Sequence, residues 1–249
     1  MEEKPDVFDA FLHMILDGNE NALHCVYQMI GSILTPVGSL KKCHLLQGVA
    51  GSGKTSLVRY IERMMPIEDF VDLPNLSKIT DDSLVKRDQP VRLVHVCELG
   101  TNKLPAKQVV NLKAFADGAD DLPGVASFKI ILTTNHKVVT GNDGVIETAL
   151  KNRLLVIPFP KPLNLENADP RVASLDDIYF EQERRGIILK ALRAYGEVLN
   201  NNGNFCCDFE VNAVVDEPEK PDEHLSAEEK ERISNGLPVE AASMLPALA

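Results

Sequence analysis

The sequence predicts an α/β fold: a parallel sheet with helices on both faces, preceded by a helical segment and followed by an acidic tail. Three observations predict it. Short, mostly apolar runs recur at 41–47 (KKCHLLQ), 92–97 (RLVHVC), 128–134 (FKIILTT) and 153–159 (RLLVIPF). Stretches of helical periodicity separate them. A glycine-rich segment, GVAGSGKTS at 48–56, joins the first run to the helix that follows it. Strands that read as apolar along their whole length are buried on both sides, as in a parallel sheet covered by helices.

Each element has its own signal. Phe8, Phe11, Leu12, Ile15 and Leu16 recur at helical spacing, and so do Leu23, Val26, Tyr27, Ile30 and Leu34. Two amphipathic helices therefore precede a Pro/Gly break at Pro36–Gly38. After the glycine-rich segment, Leu57, Val58, Ile61, Met64 and Met65 form one helical face. Residues 66–90 are loop-rich and give no clear element. The second strand ends at Glu98 and the third at Asn135. A helix over 105–116 carries Val109, Leu112 and Ala116 on one face, and Val145–Leu150 reads as a short helix. The fourth strand is closed by Pro158 and Pro160. A long helix over 179–199 is expected to turn Ile188, Ala191, Leu192, Tyr195 and Leu199 inward. Ser226–Glu229 fits a capping box, so a short helix is expected at 227–234. The resulting organisation is a helical segment at 1–40, a core at 41–160, a second helical segment at 161–207 and an acidic tail at 208–249.

Composition narrows the function classes. The chain has 249 residues, 44% of them hydrophobic and 5% aromatic, so a core of aliphatic side chains is expected. No run of 18 or more apolar residues is present, which excludes a membrane-spanning helix of the usual kind. The N-terminus does not read as a secretory signal. The five cysteines form no CxxC pair and are expected as reduced thiols in an intracellular protein. The net charge is −11, but about −8 of it lies in residues 208–249. The remainder is near neutral, which leaves room for a local basic channel.

Gly48, Val49, Ala50, Gly51, Ser52, Gly53, Lys54 and Thr55 match the pattern G-x-x-x-x-G-K-[ST] within a strand–loop–helix context, and Ser56 follows as a further candidate for nucleotide binding. Glycines let the backbone curl so that successive N–H groups point at phosphate oxygens. The helix that starts there favours an anion at its N-terminus. Lys54 suits the β- and γ-phosphates of ATP, and the Thr55 hydroxyl suits Mg²⁺. The segment is a P-loop, and it is shared by kinases, GTPases and motor ATPases. Residues at the other strand ends must discriminate among them. Glu98 at a buried strand end can polarise a water, directly or through the shell of Mg²⁺. Asn135 can hold a phosphate and a water together without competing charge. Arg153 opens the last strand, and a guanidinium that meets a γ-phosphate stabilises the transition state.

Taken together, GVAGSGKTS, RLVHVCELG, KIILTTN and LKNRLLVIPF resemble a superfamily 3 helicase domain of the type fused to primases in phages, plasmids and poxviruses. FDAFLHMILDGNENALHCVYQMIGSILTP resembles the opening helices of that family. EQERRGIILKALRAYGEVLNNNG resembles its closing segment, with Glu183, Gly186 and Ile187 in pattern. The resemblance covers roughly residues 8–205. It implies an AAA+-like subunit of a hexameric ring that hydrolyses ATP with Mg²⁺ and moves 3′–5′ along single-stranded nucleic acid, DNA in the first instance. Arg153 would act on the neighbouring subunit's ATP. It also implies replication of a virus, phage or mobile element, in a bacterial cytoplasm or a viral replication compartment, alongside a primase or other replication proteins.

The pattern is broken in two places. The interval expected to hold a basic pore hairpin carries Asp117, Asp120 and Asp121, with Lys113 and Lys129 only at its edges. Tracking phosphates needs positive charge, so either Lys103, Lys107 and Lys137 serve instead or such a ring grips DNA poorly. Cys97 precedes Glu98 where a second acid is usual, which leaves Thr55, water and the phosphates to hold Mg²⁺. No primase segment is recognisable within the chain. The competing readings are an ATP-dependent assembly module without helicase activity and a P-loop kinase. The kinase lacks an evident arginine-rich lid.

Overall fold

The computed structural model describes residues 5–35, 40, 42–80, 91–99, 103–117, 128–140, 145–166, 170–173, 177–206 and 209–214. The helix expected at 227–234 lies outside them, as do Asp120 and Asp121. Five strands form one parallel sheet: β1 (Cys43–Gly48), β2 (Phe70–Leu73), β3 (Leu93–Val96), β4 (Lys129–Thr134) and β5 (Leu154–Phe159), in the order β2-β3-β4-β1-β5. The fold is that of a P-loop NTPase.

Alternation along the strands assigns side chains to the two faces. Leu46, Leu93, Ile131, Leu155 and Ile157 face one layer, which contains α1 (Asp6–Ile15), α2 (Glu20–Leu34) and α3 (Lys54–Glu62). Leu45, Val94, Val96, Leu132 and Val156 face the other, against α4 (Ala106–Asp117). Leu45 and Leu46 are both fully buried. Burying each contributes about 1.5–3 kcal/mol relative to an exposed leucine. Two short helices, α5 (Thr148–Lys151) and α6 (Pro170–Ala173), complete the connections before α7 (Asp177–Asn200). Among the described residues no helix is long and apolar enough to cross a membrane.

Several expectations meet a different outcome. The loop-rich stretch 66–90 contains β2, an edge strand flanked by 3₁₀ turns at Ile67–Asp69 and Leu76–Thr80. The long helix is present, but its inward face is rotated. Ile187, Ala191, Ala194, Tyr195 and Val198 are buried, whereas Leu192 and Leu199 are exposed and Ile188 is half-buried. The reason lies in α2. A Cβ at Gly31 would overlap the Ala191 carbonyl and the Tyr195 Cβ, so the two helix backbones approach closely. That contact holds Ala191 and Tyr195 against α2, while Leu192 and Leu199 stay exposed. Glu183 on α7 accepts from the backbone N–H groups of Val7 and Phe8, both at 2.8 Å. Its carboxylate thereby satisfies the first amides of α1 and complements that helix's dipole.

The thiols also differ from expectation. Cys43, Cys97 and Cys206 are free, as expected of reduced thiols, but Cys25 is disulfide-bonded. Cys25 is buried on α2, next to the returning chain, where the Cys206 N–H donates to Gln28 Oε1 at 2.9 Å. The body likewise runs past residue 208. Phe209 packs against the apolar layers, and Asn212 bonds to Gln47 and to Val138.

Candidate nucleotide site

β1 delivers the chain to the glycine-rich loop and α3 carries it away. Gly51 and Gly53 have φ of 67° and 90°, a left-handed conformation that costs glycine little and other residues more. A Cβ at Gly48 would overlap the Phe159 carbonyl on β5, so the start of the loop can lie flat against its neighbour. Lys54 is nearly buried. Its ammonium donates to the carbonyl oxygens of Gly48 (3.0 Å) and Val49 (2.6 Å) and to Ser52 Oγ (3.0 Å). The lysine is thus drawn across the inside of its own loop. No side chain caps the N-terminus of α3, the end of a helix at which an anion can accept from backbone amides.

These amides open on a cavity of about 290 Å³. Residues 51–56 line it, together with Cys97 and Glu98 after β3, Thr133, Thr134 and Asn135 at the end of β4, and Leu163. Three strand ends converge because β4 lies between β1 and β3. Carboxyl ends of parallel strands are where ligands bind in such sheets. Thr55 and Glu98, the two residues expected to hold Mg²⁺, line the same cavity. A small hydrated cation with oxygen ligands fits that pair.

Arg153 is not part of this cavity. Leu154 pairs with Cys43, and Cys43 N–H donates to the Arg153 carbonyl at 2.7 Å. Arg153 therefore sits at the opposite end of β1 from Gly48, roughly 17 Å away for five residue steps of ~3.3 Å each. There its guanidinium is forked onto Asp117, Nε to Oδ1 at 3.0 Å and Nη2 to Oδ2 at 2.8 Å, and its Nη1 donates to the Ala149 carbonyl at 2.8 Å. The hydrogen bonds to Asp117 raise its already high pKa. Asp117, expected within the pore segment, is engaged as this partner. Lys113 is paired with Glu147 at 2.7 Å.

Two groups near the cavity escape the sequence reading. Gln47, buried at the end of β1, donates to the His136 carbonyl (3.0 Å) and to Asn212 Oδ1 (2.9 Å), while its Oε1 accepts from Asn212 N–H (2.6 Å). Asn212 in turn holds Val138 through both its backbone groups. This clamp braces the turn that carries Asn135. The second group is Asp72, His95 and Cys97, gathered by the register that sets Asp72 opposite His95.

No family model matches the sequence, and no curated protein matches it. Solved structures do. The apo A form of the NrS-1 C-terminal region superposes with a TM-score of 0.52 at 15% identity, over 77% of this chain and 46% of that chain. The apo structure of the NrS-1 C-terminal region spanning residues 305–718 gives 0.52 at 13% identity, over 79% and 47%. The likeness is one of fold, and the chain spans just under half the length of those neighbours.

Proposed function

We propose that the chain is an ATP hydrolase of the helicase type, working as a ring of identical subunits on single-stranded nucleic acid, with DNA as the first candidate. The observation that carries the reading is the division of the motif residues between the two ends of the sheet. The loop, Glu98 and Asn135 share one cavity, while Arg153 lies a strand's length away. A subunit so built offers its own phosphate site three of the four groups and presents the fourth elsewhere, where a neighbour's site can meet it.

In this reading the amides of residues 51–56 and the Lys54 ammonium bind the phosphates of ATP. The Thr55 hydroxyl and Glu98 hold Mg²⁺, which neutralises phosphate charge when bound. Glu98 orients the attacking water and accepts its proton. Asn135 places its amide between that water and the γ-phosphate. Arg153 leaves Asp117 and stabilises charge in the adjoining subunit's transition state. Asn212 and Gln47 act as positioning residues for the Asn135 turn.

A second reading is a nucleotide-dependent assembly module that does not unwind nucleic acid. The pairing of Arg153 with Asp117 and of Lys113 with Glu147 favours it, since both cations are held by acids rather than offered to a phosphate backbone. ATP hydrolysis measured with and without single-stranded DNA, together with the mass of the protein in solution with ATP, tests both. Stimulation by DNA in a high-mass species supports the helicase. Nucleotide-dependent assembly without stimulation supports the module. A monomer with no hydrolysis would sink both.

A further inference from the structure

We infer that Asp72, His95 and Cys97 form a binding site for one divalent transition-metal ion of the zinc class, at the end of β3 beside the phosphate cavity. His95 and Cys97, two residues apart, flank the end of β3, and the parallel register brings Asp72 of β2 opposite His95. His95 Nδ1 lies 2.6 Å from Asp72 Oδ1 and 3.8 Å from Cys97 Sγ, and that sulfur lies 3.8 Å from the same carboxylate oxygen. One nitrogen, one sulfur and one oxygen therefore fall within 4.8 Å of one another.

The hydrogen bonds around the ring are compatible with a ligating tautomer. Thr133 Oγ1 donates to the Cys97 carbonyl at 2.7 Å, and a carbonyl can only accept. With the hydroxyl hydrogen on that carbonyl, Oγ1 can accept from His95 Nε2 at 3.1 Å, the tautomer that leaves Nδ1 able to ligate. Nδ1 faces the Asp72 carboxylate at 2.6 Å, where either a proton on the ring or a metal ion that displaces it can sit between them. A metal-bound histidine has this same support, its second nitrogen donating to an oxygen.

A nucleophilic relay does not fit. It requires thiol and carboxylate on opposite ring nitrogens, and here both face Nδ1. Convergence on one edge of the imidazole is ligand geometry. Thiolate, imidazole and carboxylate together prefer Zn²⁺ or Co²⁺ over Mg²⁺, at bond lengths of about 2.0–2.3 Å. Asp72 and Cys97 are exposed while His95 is buried, so the carboxylate can swing to meet an ion and solvent can supply a fourth ligand. The ion would tie β2 to the end of β3 and fix the backbone that carries Glu98. Nucleotide plays no part in it.

Titrating the full chain with Co²⁺ in the absence of nucleotide tests the site through thiolate-to-cobalt charge-transfer absorption. The wild type should develop that band with about one equivalent and lose it on addition of Zn²⁺. Cys97→Ser should abolish the band. Thr133→Val, which keeps all three ligands and the side-chain shape, should weaken uptake by about 10–100-fold. Thr55→Ala, in the expected Mg²⁺ position, should leave it unchanged. Absence of the band in the wild type means a histidine–aspartate pair bridged by a proton, and overturns the inference. So does a band that survives in Cys97→Ser.

Discussion

The two ends of the sheet differ in how they hold charge. At the carboxyl end, a lysine and a glutamate border a cavity, and the lysine's nearest oxygens belong to its own glycine-rich loop. At the amino end, Arg153 is locked in a two-point fork with Asp117 and a third bond to Ala149. One end is open to a ligand, and the other is closed on itself. In the proposed reading, the arginine reaches a phosphate only by giving up Asp117 for it, and does so on another subunit.

The largest expected effect tests that division. Arg153→Ala should bind ATP but hydrolyse it ~10³–10⁵-fold more slowly, about 4–7 kcal/mol in barrier. Mixing it with Lys54→Ala subunits should restore part of the turnover, because each supplies what the other lacks. Normal hydrolysis by Arg153→Ala at assembling concentrations would erase the distinction between the ends. Asn135→Ala belongs to the cavity itself and should lower turnover by about 10²–10³-fold, the effect of removing one preorganised donor. Mixing with other variants should not rescue it. A rescue comparable to that of Arg153→Ala would move Asn135 to the trans side.

How far these ends can be read from sequence depends on the kind of signal. The glycine-rich loop, Glu98 and Asn135 are legible because each follows directly from a strand, and one strand fixes one position. β2 is not, because its sequence FVDL is interrupted by Asp72 and is too short to carry the apolar signal of a central strand. Ala191 and Tyr195 face inward as expected, but the rest of the α7 face is misread because leucines at 192 and 199 outweigh Ala194 and Val198 in any periodicity. The close approach at Gly31 reverses that ranking, and no local pattern contains it. The Asp72–His95–Cys97 group needs the β2–β3 register, and Asn212 lies in a segment whose composition resembles a tail. Asp117 opens an acid-rich stretch and gives no sign of an arginine 36 positions away.

A pH effect sharpens the amino end. His44, fully buried near the start of β1, has its pKa lowered to about 3, first by burial and then by Lys129 and Lys42. Its Nδ1 has no hydrogen-bond partner among the described residues. A histidine that folds in the neutral form contributes stability above its unfolded pKa of about 6.5, and that contribution is lost as pH falls toward the folded value. Stability should therefore decline below pH ~6.5 by up to about 1.4 kcal/mol per pH unit. His44→Leu should flatten this slope in thermal melts between neutral and mildly acidic pH. An unaltered slope would assign the acid sensitivity to other groups, such as His95. The smallest effect is expected from Asp117→Asn. Its pair with Arg153 is partly exposed, and losing it should cost at most about 1 kcal/mol. Turnover in assembled protein should hold or rise, since the guanidinium is released. A drop as deep as that of Arg153→Ala would make Asp117 part of the chemistry rather than its restraint.

Lys54 lies folded against the carbonyls of Gly48 and Val49. Its ammonium donates to neutral loop oxygens there, so it braces the curve of the loop as well as carrying a charge. Replacing it removes a strut as well as a charge, so a lysine-deleted protein is a poor blank: its resting loop is altered too. Comparison with a variant that keeps the ammonium but blocks the cavity is the cleaner way to separate what the loop is from what it holds.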